Sequence, residues 1–510
     1  MRALPRTRYA AARLIGWLGG LLVAGLTSGM AAEPASRPNI IFLLADDLGY
    51  GELGCFGQEK IRTPNVDRLA REGMRFTRHY AGNAVCAPSR CVLMTGMHPG
   101  HAWVRDNSEV QPEGQKPIPD GAVTLAELLQ AHGYTTAAMG KWGLGPPGSS
   151  GDPLRQGFNH FYGYNCQRHA HNFYPTYLWD DDRRVALDNH EFPAHQKLPE
   201  GADPADPESY ATYRGRDYAP DRIADAARRF IRDHRDRPFF LYFPTTVPHL
   251  ALQVPEDSVR EYQGHWPDPP YPGGHGYLPQ FAPRAAYAAM VTRLDREIGT
   301  LINLVDELGL TERTIFVFTS DNGPTYDRLG GSDSGFFNSA PGMRGLKGSL
   351  YEGGIRVPLV VRWKGRVPAG VESDRLTGFE DWLPTLLDLA GLRESIPANT
   401  DGISLAPTLL GRWQPPRPFL YREFPSYGGQ QAVWMGPWKG IRQNLRPRGD
   451  ARPNHHIELY NVMDDLAESR DVGDAHPELV ARLAALMREQ HVPAPEFPFP
   501  ALDQAPEAGR

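Results

Sequence analysis

Asn39–Ala45 reads Asn-Ile-Ile-Phe-Leu-Leu-Ala and stops abruptly at Asp46-Asp47. A short run with no polar alternation predicts a strand covered on both faces, which only a layered fold with helices on either side supplies. Further strands are predicted over Tyr134–Met139, Phe239–Phe243, Thr314–Thr319 and Val357–Trp363. Helical spacing separates them. Thr63-Pro64-Asn65 opens one helix, with Val66, Leu69 and Ala70 on one side and Gly73 as its stop. A second fits Thr124–His132, and the longest covers about Arg284–Leu308, where Tyr287, Met290, Leu294, Ile298, Leu301 and Val305 recur every three or four residues. Strands alternating with helices imply an α/β fold around a mostly parallel sheet. In such sheets ligands bind beyond the carboxyl ends of the strands. The residues delivered there are Asp46 and Asp47, Lys141, His249, and Asp321 with Asn322. Carboxylates, a lysine and a histidine from separate strand ends suit metal-assisted hydrolysis of an anion.

The 510 residues carry a net charge of −6 and no basic run of useful length, which argues against a nucleic-acid partner. The length suits two or three domain-sized units. Residues 1–32 read as a secretory signal: Arg2, Arg6, Arg8 and Arg13 precede an apolar run from Leu14 to Leu26, followed by Ser28, Gly29, Ala31 and Ala32. The run is short for a bilayer span, so the expectation is a secreted or periplasmic protein without stable membrane insertion. Cys55, Cys86, Cys91 and Cys166 are the cysteines. Two disulfides are conceivable in an exported chain, whereas their spacing does not fit a zinc ribbon.

Cys86-Ala-Pro-Ser-Arg90, continuing to Met94-Thr95-Gly96, resembles the signature of the type I sulfatases. Gly342-Met-Arg-Gly-Leu-Lys347-Gly, running on through Glu352-Gly-Gly-Ile-Arg356-Val-Pro358, resembles a second motif of that family. The resemblance covers most of residues 38–407. It implies an alkaline-phosphatase-like sandwich with a catalytic domain over 33–395 and a smaller α+β C-terminal domain over 396–510. The strands expected at Trp434–Arg442 and Ile457–Tyr460, with an amphipathic helix at Pro477–Gln490, fit that division.

In this family a dedicated formylglycine-generating enzyme oxidises the cysteine to Cα-formylglycine, whose hydrate has one oxygen to attack sulfur and another to expel sulfate. The resemblance therefore implies a nucleophile at Cys86, held by Arg90. It also implies a cation on Asp46, Asp47, Asp321, Asn322 and the modified Cys86, and sulfate contacts from Lys141, His249 and Lys347. An all-oxygen ligand set suits Ca²⁺ and, to a lesser degree, Mg²⁺. One departure stands out. Where the family reads Gly-Lys-Trp-His-Leu-Gly, this chain has Gly143 in place of the histidine credited with deprotonating the diol. His169 and His171 lie nearest in sequence, as a replacement base, a substrate-reading pair or part of a structural loop.

The expected activity is hydrolysis of sulfate monoesters. A phosphomonoester or phosphonate hydrolase of the same superfamily is the alternative within enzymes, and a catalytically silent sulfoglycan-binding protein the alternative outside them. The aromatic, histidine-bearing stretch from Gly145 to Tyr277 favours a sulfated saccharide as substrate.

Overall fold

The computed structural model describes residues 37–503. The segment read as a secretory signal, residues 1–32, lies outside the described residues. Among those described, no helix is long and apolar enough to cross a membrane.

The large sheet is assembled from β1 (Asn39–Ala45), β2 (Met74–Tyr80), β3 (Thr135–Lys141), β4 (His160–Tyr164), β5 (Tyr177–Asp180), β6 (Arg183–Ala186), β7 (Phe239–Pro244), β8 (Thr314–Ser320), β9 (Arg356–Arg362), β10 (Val371–Ser373) and β11 (Thr377–Gly378). Its order is β10-β2-β9-β8-β1-β7-β3-β4-β5-β6, with β11 pairing β2. β1 lies at the centre, parallel to β7 on one side and β8 on the other, with Ile41 opposite both Leu241 and Phe316. β3 and β4 extend the parallel block beyond β7. The mostly parallel α/β architecture expected from the sequence is therefore present.

Every residue of β1 is buried, and successive side chains go to opposite faces. Ile40, Phe42 and Leu44 enter one apolar cluster, with Val92 and Leu93 of the helix Cys86–Thr95 and Leu383 and Leu386 of the helix Trp382–Leu389. Ile41, Leu43 and Ala45 enter the other, with Ile223 and Phe230 of the helix Ala219–Asp233 and Ile298 and Leu301 of the helix Pro283–Glu307. A layer on each face removes the sheet's apolar area from water, at about 25 cal/mol per Å².

Strand direction gathers the functional segments at one edge. β9 runs antiparallel to β8, so its beginning, not its end, lies beside Asp321. The Gly342–Gly354 loop that precedes it is thereby delivered to the same edge as the ends of β1, β3, β7 and β8. β2 is antiparallel to β9, which returns its end, and the helix beginning at Cys86, to that edge.

The smaller sheet comprises β12 (Leu420–Phe424), β13 (Gln430–Met435), β14 (Trp438–Arg442) and β15 (Glu458–Asn461), all antiparallel. Trp434–Arg442 was expected as one strand and is a hairpin instead. Gly436, in the left-handed region at φ +59°, and Pro437 turn the chain between β13 and β14. The helix Pro477–Glu489 covers one face through Leu483 and Met487. On the other face Leu420, Ala432, Trp434 and Ile441 join the apolar cluster beneath the large sheet. Glu352, just before β9, accepts bonds from Tyr80 (2.7 Å), Trp434 (2.9 Å) and Lys439 (3.1 Å), so a buried charge also ties the two sheets together.

Candidate functional site

Cys86 begins a ten-residue helix in which every residue is buried. Its thiol is ringed by charge. Sγ lies 3.4 Å from Asp46 Oδ1, 3.6 Å from Lys141 Nζ and 3.7 Å from Lys347 Nζ. Lys141 Nζ also donates to Asp46 Oδ2 at 2.6 Å, and Lys347 Nζ lies 2.7 Å from Asp47 Oδ1. Arg90, one helical turn after Cys86, donates to Asp321 Oδ2 at 2.8 Å and to the Lys141 carbonyl. Asn322 Nδ2 donates to Asp47 Oδ1 at 2.8 Å, and the Asp47 amide donates to Asp321 Oδ1 at 3.2 Å. All of these side chains are at least nine-tenths buried.

Backbone bonds lock the segments together. Asp46 N donates to the Val247 carbonyl and Asp321 N to the Ala45 carbonyl, both at 3.1 Å. Lys347 N donates to the Pro324 carbonyl and Gly348 N to the Ala84 carbonyl, both at 2.9 Å. Asp47 itself is held at φ +64°, a conformation costly for a non-glycine residue and commoner at functional sites.

The electrostatics follow from this crowding. Burial raises the Asp46 carboxyl, but Lys141, with His249 and Arg90, overcomes it and holds the group well below the usual range. Burial and the neighbouring Asp46 push Asp321 up to about 6 against the pull of Arg90. Burial, reinforced by Asp46, pushes the Cys86 thiol up to about 12. A thiol so placed stays protonated at neutral pH and is a poor nucleophile in its own right.

His249 Nδ1 donates to the Leu250 carbonyl at 2.5 Å, leaving Nε2 facing Asp47 Oδ2 at 3.6 Å. Asp46, Asp47, Cys86 and His249 converge closely enough to hold a metal ion. The buried Asn322 Oδ1 has no hydrogen-bond partner among the described residues. An orphaned oxygen beside three carboxylates fits a hard cation.

The Sulfatase family profile matches residues 38–392, and that of the N-sulphoglucosamine sulphohydrolase C-terminal region matches residues 346–490. The chain belongs to the sulfatase family. It is 36% identical to human arylsulfatase A, covering 91% of this chain and 89% of that one. It is 30% identical to an N-acetylgalactosamine-6-O-sulfatase of Bacteroides thetaiotaomicron, covering 89% of this chain and 93% of the relative. The solved structure of Ps i-CgsB superposes with a TM-score of 0.71 at 26% identity, covering 89% and 92% of the two chains. That protein has also been solved with k-i-k-neocarrahexaose. This sulfatase is thus a sulfuric ester hydrolase.

All the strand-end residues read from the sequence, together with Cys86, Arg90 and Lys347, meet in this sulfatase's site. The two histidines part company. His171 stacks on His249, whereas His169 turns away to Tyr177, at a centroid distance of 4.4 Å, and to Glu113 Oε1 at 3.6 Å. Gly143 sits at φ +82°, and a Cβ there would lie 2.8 Å from Gln167 Nε2. The backbone there strains any larger residue, and the Gln167 side chain would have to move aside to admit one. Sequence reasoning missed His195 and Tyr277, which pack around His171. Nothing in their local sequence marks them, because the contacts span 24 residues and more.

Proposed function

We propose that this sulfatase is exported and acts on sulfate esters of a saccharide, using a formylglycine made from Cys86 and a Ca²⁺ ion on Asp46, Asp47, Asp321 and Asn322. The observation that carries this reading is the position of Cys86 Sγ, 3.4–3.7 Å from an aspartate and two lysines while its thiol is held protonated. Such surroundings serve an oxygen nucleophile better than a thiolate. When present, the hydrated aldehyde and the cation supply paired oxygens for attack and release, and a Lewis acid to polarise them.

The chain's own residues do the rest. Lys141, at the end of β3, and Lys347, in the loop before β9, bring their ammonium groups to the same point, so both can contact sulfate oxygens and stabilise charge there. Arg90 bridges Asp321 and the Lys141 carbonyl; it positions an acid and a lysine rather than touching the ester. His249 has its Nδ1 committed to the backbone, so Nε2 is the nitrogen placed to exchange a proton with the leaving oxygen. Three carboxylates facing three cations leave the site near neutral, and an added divalent ion would draw in an anionic ester.

The saccharide reading draws on the N-acetylgalactosamine-6-O-sulfatase relative and on the oligosaccharide complex of Ps i-CgsB. Export draws on the pattern of residues 1–32, and maturation requires a formylglycine-generating partner enzyme. The test is one preparation with three readouts: the mass of the peptide containing residue 86, bound metal, and sulfate against phosphate release from aryl esters. An aldehyde, about one calcium per chain and a preference for sulfate are expected. Full activity with an unmodified thiol would overturn the mechanism, and preferential phosphate release would favour the phosphohydrolase alternative.

A further inference from the structure

A cavity of about 790 Å³ adjoins the reaction centre and shares Lys347 with it. Its volume falls within the range of small-molecule sites. Lys347 closes the inner end, where its ammonium reaches Asp47 and Cys86. The walls carry Tyr326 and Tyr427 together with the amide side chains of Asn338 and Gln443, the latter held by the buried Gln430, whose own amide is committed to Gly348 and Leu350. Aromatic faces interleaved with amides are the chemistry that binds sugar rings: the faces take C–H surfaces and the amides take hydroxyls.

Tyr427 is unusual among the large side chains. It is 58% exposed, yet it is pinned on several sides. Its ring stacks on Phe424 at 5.5 Å and lies nearly parallel to Tyr326 at 6.0 Å and 11°. The Tyr326 and Tyr427 hydroxyls are hydrogen-bonded to each other. A Cβ on Gly348 would lie 2.9 Å from the Tyr427 ring, so the glycine next to Lys347 lets the ring settle against the loop backbone. Tyr427 also adopts a left-handed φ of +54°, disfavoured for a bulky residue. An exposed aromatic held in an unfavourable backbone conformation against Gly348, the residue after Lys347, is preorganised to meet a ligand.

We infer that this cavity is a subsite for a second sugar ring of a sulfated oligosaccharide, with Tyr427 and Tyr326 as its stacking wall. The inference rests on the saccharide-sulfatase reading above and adds to it that the substrate is longer than one ring. It also gives the segment between β12 and β13, from the smaller sheet, a direct part in choosing the substrate.

The test compares size ladders, from mono- to hexasaccharide, of sulfated galactans and sulfated glycosaminoglycans, with an aryl sulfate as reference. For the preferred ladder, kcat/KM should rise at least tenfold from one ring to two or three. Tyr427→Ala should remove most of that rise, losing at least tenfold more on the longer sugars than on the aryl sulfate. Tyr427→Phe, which keeps the ring, should preserve most of it, and melting temperatures would confirm that both variants fold. A flat ladder, or a Tyr427→Ala loss equal on all substrates, would overturn the subsite, as would turnover of the aryl sulfate with none of the sugars. Failure of the sulfatase mechanism is separable: wild-type protein carrying the aldehyde would then not hydrolyse the aryl sulfate either.

Discussion

The imidazole of His171 lies against that of His249, with ring centroids 5.0 Å apart and planes 17° from parallel. A chain of hydrogen bonds fixes which nitrogen of His171 carries the proton. The Tyr277 amide donates to His195 Nδ1 at 3.0 Å, so His195 Nε2 bears the hydrogen and donates to His171 Nδ1 at 3.1 Å. Burial, with His249 and Lys141 nearby, keeps His171 neutral well below the ordinary histidine range. A neutral His171 therefore presents Nε2–H, a donor. It is suited to a substrate oxygen and unsuited to acting as a base. His171→Ala should raise KM about tenfold, the scale of one lost hydrogen bond, with kcat changed less than threefold. His169→Ala should leave both constants within about threefold. A large fall in kcat for His171→Ala, with KM unchanged, would restore the base role.

Cys86→Ala should lower kcat by at least about 10³, the scale seen when a nucleophile is removed. The change deletes a single heavy atom from a buried site, so the melting temperature should shift by only a few degrees. Peptide mass spectrometry of the active wild type should show the aldehyde at residue 86.

Thorough chelation should lower both the rate and the melting temperature. An ion at 100 times its dissociation constant stabilises the native state by about 2.7 kcal/mol. Asp321→Ala should abolish ion-dependent stabilisation, while a substitution at exposed Asp474 should leave it intact. Rate and melting temperature both indifferent to chelation would count against the cation.

Lys439 is fully buried between Glu352 (3.1 Å) and Glu468 (2.7 Å). Lys439→Met leaves Glu468 without its cation and Glu352 with only Arg356, 3.4 Å away, and the expected cost is about 3–5 kcal/mol. Urea unfolding followed by tryptophan fluorescence would measure it.

His79 is enclosed by Phe379 and Trp382, and burial pushes it down to about 3. Its folded value lies below the unfolded one, so the unfolded chain binds the extra proton between about pH 6.5 and 3. The stability this group contributes is complete above pH 6.5 and is lost as the pH falls toward 3, at about 1.4 kcal/mol per pH unit. His79→Gln should flatten the acid limb of a plot of melting temperature against pH. An unchanged slope would show that other groups dominate acid unfolding.

The sequence by itself determined the buried central strand, the strand ends and nearly all of the reaction centre, because each is written locally. A seven-residue apolar run such as Asn39–Ala45, too short for a buried helix and stopped by Asp46-Asp47, reads as a strand covered on both faces, and the residues that follow it emerge at the sheet's edge. The helix Cys86–Thr95 was legible as a motif but not as a helix: buried all round, it has no polar face to set a period. The helix Ala219–Asp233 escaped notice inside a stretch dominated by loops and aromatics. Tertiary structure alone decided which histidine faces the site. His169 and His171 are two residues apart, and the short helical turn they share sends one toward Glu113 and the other toward His249. It alone decided that Tyr427, 80 residues beyond Lys347 in the chain, lies against the neighbouring Gly348. Such pairings depend on how strands order and sheets dock, and no local pattern of residue types encodes that.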